Sequence, residues 1–198
     1  MKLMSNANWK LFVFLIFPIL FQQSTCEAED LSDLAILDNG NDQFTELRPQ
    51  ERVDDYLFYN ENRNLLSMRK FRGSNVILNF WATWCAPCIK EMPSLAQLAD
   101  NYSDQNIQVV AVSLDHTGVD HVRDFLNHIS AGDLKIYFDP ENRKESVVTR
   151  KNGLGLKIYG LPITYFINKD GYVLGYIVGS VDWQSNKAKY FLENFIKK

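Results

Sequence analysis

Cys85 and Cys88 are the residues of this chain best suited to chemistry. They lie two residues apart in NFWATWCAPCIKEMP, residues 79–93, behind two tryptophans and ahead of a run with helical spacing. Thiols so placed could exchange with another disulfide, bind a metal or staple a turn. A staple over so short a loop removes little chain entropy from the unfolded state. A structural zinc site needs four ligands, and the chain has no second Cys-x-x-Cys pair. Its histidines stand at 116, 121 and 128 and read as surface or boundary residues. A copper-binding metallochaperone using the same thiols, with His116 or an acidic residue of the tail as a further ligand, is the alternative to redox exchange.

Exchange needs a thiolate, which a free cysteine holds poorly at neutral pH. A helix N-terminus offers unpaired N–H groups and a positive dipole end, and both favour an anion. The spacing puts Cys85 at the first turn of a helix, with Cys88 one turn further in and more buried. Cys85 would attack a substrate disulfide, and Cys88 would then attack Cys85 and release the reduced substrate. Pro87 fits the first helical turn, where no intrahelical N–H is required.

The elements that must hold this pair lie on either side of it. NVILNFWA, before the cysteines, is a continuous apolar run of strand length, as expected for a strand buried on both faces. After them Ile89, Met92, Leu95, Ala96, Ala99 and Tyr102 mark one helix face, with a kink expected at Pro93. IQVVAVSL is a second buried strand, which completes a βαβ unit. TGVDHVRDFLNHI reads as a helix with Thr117 and Asp120 as a capping box, and LKIYFD as a short strand. LPITYFINKDGYVLGYIVG reads as an antiparallel hairpin turning at Lys169, Asp170 and Gly171. A closing helix spans residues 182–196 with Asp182 as N-cap. Ahead of all these, YLFYNENRNLLSM reads as a small extra N-terminal β-hairpin. The sum is an α/β domain with a mixed central sheet. It has a parallel βαβ half, an antiparallel C-terminal hairpin and helices on both faces. Ligand chemistry in such sheets gathers at the carboxyl ends of strands, where the cysteines fall.

The rest of the chain sets limits. A net charge of −3 over 198 residues, with no basic cluster, argues against a nucleic-acid binder. Lys2 and Lys10 flank LFVFLIFPILF, residues 11–21, and no acidic residue precedes Glu27. That uncharged run is too short for a spanning helix and of signal-peptide length, so residues 1–28 read as a signal peptide or an uncleaved N-terminal anchor. Gln23 at the −3 position speaks against Cys26 as a lipidated residue. Removal of residues 1–28 would leave Cys85 and Cys88 as the only cysteines. Residues 29–51 are acidic and read as a flexible or partly helical extension, which leaves 52–198 as the domain.

The active-site segment resembles that of thioredoxin-fold proteins, specifically the exported TlpA/ResA-like thiol-disulfide oxidoreductases of bacteria. YGLPITYFINKDGYVLGYIVG matches their second signature, and VGSVDW resembles the segment leading to their last helix. The resemblance runs from about residue 52 to the C-terminus. It implies a thioredoxin fold, with Cys85 as nucleophile, Cys88 as resolving cysteine and Trp84 shielding the site. Pro162 would be a cis-proline facing the cysteines, and the backbone of Leu161 would pair with an extended substrate. Two positions depart from the pattern. Ile163 stands where relatives often have threonine. Asn79 stands where cytosolic thioredoxins have a buried aspartate that moves the proton of the inner thiol. Asn79 cannot titrate, which makes Glu91, three residues after Cys88, the candidate base, or else a solvated surface residue. The resemblance further implies a reductase in the bacterial periplasm with no cofactor, fed by a membrane thiol-disulfide electron donor. Its clients would be cysteine-containing exported proteins of cytochrome c or cytochrome oxidase assembly. A disulfide oxidase or isomerase is the alternative direction. Isomerases of this class use a dimerisation domain, for which residues 29–51 are too short, so a monomer is expected.

Overall fold

The computed structural model describes residues 44–53, 56–103, 105–139 and 156–197. Eight strands among these residues form one mixed sheet, in the order β1-β8-β7-β4-β5-β6-β2-β3. The strands are β1 (Thr45–Arg52), β2 (Leu57–Asn60), β3 (Leu65–Ser67), β4 (Asn75–Trp81), β5 (Ile107–Ser113), β6 (Tyr137–Phe138), β7 (Ile163–Ile167) and β8 (Tyr172–Val178). Three α-helices accompany them: α1 (Ala86–Asn101), α2 (Val119–His128) and α3 (Asn186–Ile196).

β4 lies at the centre, parallel to β5 on one side and antiparallel to β7 on the other. Every residue of β4 and of β7 is buried, which is why NVILNFW and ITYFI carry no alternation of polar residues. β5 is also parallel to β6, and β7 and β8 form the antiparallel hairpin. Its turn is closed by Gly171 N–H donating to the Asn168 carbonyl at 2.8 Å, with Gly171 at φ 75°. β2 pairs antiparallel with β3 and also with β6.

Side chains alternate across β4 into two apolar clusters. Ile77 and Trp81 join one with Met92 and Leu95 of α1, Val122 and Leu126 of α2, and Phe191 and Phe195 of α3. Val76, Leu78 and Phe80 join the other with Tyr56, Phe58, Tyr165 and Val173. All three described helices bury residues in the first cluster. The topology supplies the reason for two of them. β4, β5 and β6 are consecutive parallel neighbours, and two right-handed crossovers stepping the same way place both helices on the same side. Among the described residues the second face carries the 3₁₀ turn Met68–Phe71, whose Met68 and Phe71 pack there.

Three boundaries differ from the sequence reading. The extension read over residues 29–51 is not flexible or helical at its end: residues 45–52 are β1, which pairs antiparallel with β8. An outer strand with one solvated side needs few apolar residues, and Phe44 and Leu47 are its main anchors. Phe44 meets Phe166 and Phe191 at ring distances of 5.7 and 5.3 Å. Gly175 lets β1 approach, because a Cβ there would collide with the Phe44 ring and the Thr45 carbonyl. The register of β1 slips between Glu46 and Glu51, where Pro49 follows a cis bond. Residues 1–43, and with them the leader expected at 1–28, lie outside the described residues.

The second difference concerns α2, whose N-cap is Gly118, with no capping hydrogen bond from a side chain. Gly118 at φ 90° turns the chain into the helix one residue after Thr117, so the expected Thr117–Asp120 box does not form. Third, α3 begins at Asn186 with Ser185 as N-cap, its Oγ accepting from Ala188 N–H at 3.2 Å. Asp182 instead accepts from Gln184 N–H at 3.0 Å in the preceding turn.

Candidate active site

β4 delivers the chain to the end of the sheet, where a turn closed by Cys85 N–H donating to the Ala82 carbonyl at 3.1 Å leads into α1. Cys85 is the N-cap of α1, and its Sγ accepts from the Cys88 N–H at 3.3 Å. An N-cap residue normally offers an oxygen to the first-turn N–H groups; here a sulfur takes that place. The two cysteines are joined in a disulfide with Cα atoms 5.2 Å apart. Cys88 is 0% exposed and Cys85 5%, so Cys85 is the less buried of the two. Pro87 occupies the start of α1 and lies at the surface, and the helix continues through Pro93.

Glu91 is 1% exposed, which removes the solvated-surface alternative for it. Its Oε1 accepts a 2.6 Å hydrogen bond from the indole N–H of Trp183, itself buried. Ser94 fastens the same region: its Oγ donates to the Glu91 carbonyl at 2.9 Å and accepts from Trp183 N–H at 3.3 Å. Gln184 Nε2 donates to the Ser94 carbonyl at 3.3 Å. The segment between β8 and α3 is thus bound to the helix that carries the cysteines. Trp183 is the residue that sequence reasoning missed. VGSVDW marks the region, but no spacing rule links an indole to a carboxylate 92 residues earlier.

Asn79 is fully buried on the β4 side that carries Ile77 and Trp81. Its amide donates to Thr164 Oγ1 at 2.9 Å, across the β4–β7 register pair Asn79–Thr164. Its Oδ1 is buried with no hydrogen-bond partner among the described residues. The Ile163-Thr164 order therefore puts the hydroxyl on Asn79 and an apolar residue in the opposite cluster.

The Leu161–Pro162 bond is cis. Phe80 of β4 pairs with Ile163 of β7, so Leu161 and Pro162 sit at the sheet end from which β4 enters the cysteine turn. The Pro162 carbonyl accepts from Gly179 N–H at 2.9 Å, while neither the N–H nor the carbonyl of Leu161 is hydrogen-bonded among the described residues. Leu161 packs against the cluster that contains both cysteines. Trp84, next to Cys85, is 70% exposed, the most exposed large apolar side chain described. His116, His121 and His128 are exposed, and no cluster of three or more His, Cys, Asp or Glu able to hold a metal ion occurs among the described residues.

A cysteine pair at the head of a helix, the N-cap member less buried than its partner, is built to form and break one disulfide. Known proteins match this chain accordingly. The model of the Redoxin family matches residues 41–192. The thiol-disulfide oxidoreductase ResA of Bacillus thuringiensis subsp. konkukian is 34% identical over 136 residues, which cover 67% of this chain and 68% of the relative. The thioredoxin-like protein YneN of Bacillus subtilis is 28% identical over 129 residues, 64% of this chain and 69% of its own. Among solved structures, a Chlorobium tepidum protein assigned as thiol:disulfide interchange protein DsbE superposes with a TM-score of 0.61 at 25% identity. That match covers 76% of this chain and 99% of the other. The chain therefore belongs to the Redoxin family, as an enzyme of thiol-disulfide exchange built on the thioredoxin fold.

Proposed function

We propose that this enzyme is an exported reductase of protein disulfides that serves cytochrome c or cytochrome oxidase assembly. It would work in the bacterial periplasm, either free or held at the inner membrane by its N-terminal segment. The observation that carries the reading is Cys85 as N-cap of α1, its sulfur accepting the Cys88 N–H while Cys88 stays fully buried. In the reduced enzyme that N–H and the helix dipole favour a thiolate on Cys85. The thiolate attacks one sulfur of a client disulfide. A Cys85–client disulfide forms, and the other client sulfur leaves as a thiolate and takes a proton. Cys88 then loses its proton and attacks Cys85 Sγ, which restores the Cys85–Cys88 bond and frees the second client thiol. Two electrons and two protons pass to the client. A membrane thiol-disulfide donor returns them by the reverse exchange.

Glu91 is the group assigned to take the Cys88 proton. It is buried on the same helix three residues on, and Trp183 fixes its carboxylate. The unengaged backbone of Leu161 supports its use as a short strand partner for the client, beside the exposed Trp84. The test is capture. In Cys88→Ser the mixed disulfide cannot resolve, so clients should accumulate on Cys85 in cells that express the variant. Absence of adducts sinks the order of attack. Identification of the captured proteins decides the assembly role. The reduction potential decides direction, since a value below about −200 mV with insulin reduction marks a reductase and one near about −120 mV an oxidant.

A further inference from the structure

A buried carboxylate outside the redox pair grips the turn that presents it. Trp81 and Ser113 are register partners at the ends of β4 and β5, and Leu114 N–H donates to the Trp81 carbonyl at 2.9 Å. Asp115 follows at once and is 4% exposed. Its Oδ1 accepts from Thr83 Oγ1 at 2.6 Å, and its Oδ2 accepts from the Thr83 N–H at 3.0 Å and from Ser113 Oγ at 2.7 Å. The Asp115 N–H in turn donates to Ser113 Oγ at 3.1 Å. Burying a carboxylate is costly unless donors surround it, and hydrogen bonds to an ionised acceptor are about twice as strong as neutral ones. Two of the three donors to this carboxylate, one backbone and one side-chain, come from Thr83, inside the turn closed by Cys85 N–H and the Ala82 carbonyl. The thiol and proton steps make no use of this carboxylate.

We propose that Asp115 is a positioning residue for the nucleophile. By holding both the N–H and the hydroxyl of Thr83, it locks the Ala82 to Cys85 turn. The lock keeps the Cys85 sulfur over the first N–H groups of α1 and turns Trp84 toward the client. Displacing a reacting atom by about 1 Å can cost on the order of a hundredfold in rate, so a turn tied at two points protects the attack geometry. The inference rests on Cys85 as the attacking thiol.

The test compares four variants of the full chain in insulin reduction with dithiothreitol as electron source, with Tm measured for each. Thr83→Val keeps the shape and the N–H but loses the hydroxyl, and kcat/KM should fall about tenfold. Thr83→Ser restores the hydroxyl and should return to within about twofold of the parent enzyme. Asp115→Asn, with one acceptor oxygen instead of two, should lose at least as much as Thr83→Val. Ser113→Ala removes a donor from the same carboxylate without touching the turn. It should lower Tm as Thr83→Val does while keeping kcat/KM within about threefold. The proposal is overturned if Thr83→Val reacts like the parent enzyme, if Thr83→Ser fails to rescue, or if Ser113→Ala slows as much as Thr83→Val. Capture on Cys88→Ser separates the two readings: lost adducts remove the nucleophile assignment, whereas intact adducts with a rate indifferent to Thr83 remove only the role of Asp115.

Discussion

The two faces of β4 bury polar atoms on different terms. On the face with α1, Asn79 keeps a buried Oδ1 without a hydrogen-bond partner among the described residues. On the opposite face the buried phenols are satisfied. Tyr56 donates to Asp139 Oδ2 at 3.2 Å, and Tyr165 donates to the Lys157 carbonyl. Aromatic rings interlock there, with Tyr56 5.4 Å from Phe58 and 5.6 Å from Phe80. A buried acceptor left unmade costs about 1–3 kcal/mol, whereas a typical satisfied hydrogen bond contributes about 1. At Asn79 the reactive face therefore gives up stability near its chemistry, while interlocked aromatic rings support both faces, Phe166 lying 4.7 Å from Phe191 on this one.

The largest effects should separate the faces outright. Cys85→Ser should abolish insulin reduction and leave the urea midpoint close to that of the reduced parent enzyme. Phe80→Ala should cost about 3–5 kcal/mol of stability, yet retain most of its activity per folded molecule. If Phe80→Ala loses activity in proportion beyond its unfolded fraction, the division of labour between the faces is wrong. Next, Glu91→Gln should slow turnover by about a hundredfold, the lower end of general acid-base effects, and flatten the pH–rate profile. An unchanged profile would remove Glu91 from the mechanism and return it to a structural partner of Trp183.

A smaller effect sharpens the comparison. Replacing both members of a buried polar pair by apolar residues of similar shape is near neutral or stabilising. Asn79→Leu with Thr164→Val should therefore match or exceed parent stability, while Tyr56→Phe on the other face should lose about 1 kcal/mol. Equal losses at both sites would show that the unpartnered Oδ1 costs nothing. The smallest effect is alkaline. Burial first, then the Asp139 charge and hydrogen bond, raise the Tyr56 pKa, and burial first, then Tyr159 and Tyr176, raise that of Tyr165. A group with a raised folded pKa stabilises fully below its unfolded pKa, about 10 for tyrosine, and this contribution is lost as pH rises through the folded value. Stability should hold to about pH 10 and decline above it. Tyr56→Phe and Tyr165→Phe should each flatten that decline, and urea midpoints between about pH 8 and 11 would show it.

The parts legible in the sequence are those set by local order. The buried strands β4, β5 and β7 are continuous apolar runs, and the cysteine spacing with Pro87 marks the helix start. The unread parts depend on contacts across the chain. β1 is polar because only one side of it is covered, so its residues read as linker in the sequence, and the contact of Phe44 with Gly175 ties them to the sheet. Glu91 could be named from its helix, but its burial depends on Trp183, and the hold of Asp115 on Thr83 joins residues 32 apart. Caps failed for a simpler reason. Asp182, Ser185, Thr117 and Gly118 are all acceptable starts, and backbone geometry chose between them.

The ends of the sheet carry a last consequence. β1 is one outer strand, polar, slipped in register and interrupted by Pro49, which has no N–H to give; β3, the other, is three residues long. Such borders are poor templates for a foreign strand. Two copies of this chain brought edge to edge would thus find no matching row of N–H and carbonyl groups along either border. The unengaged backbone of Leu161 lies away from both, at the sheet end where β4 enters the cysteine turn.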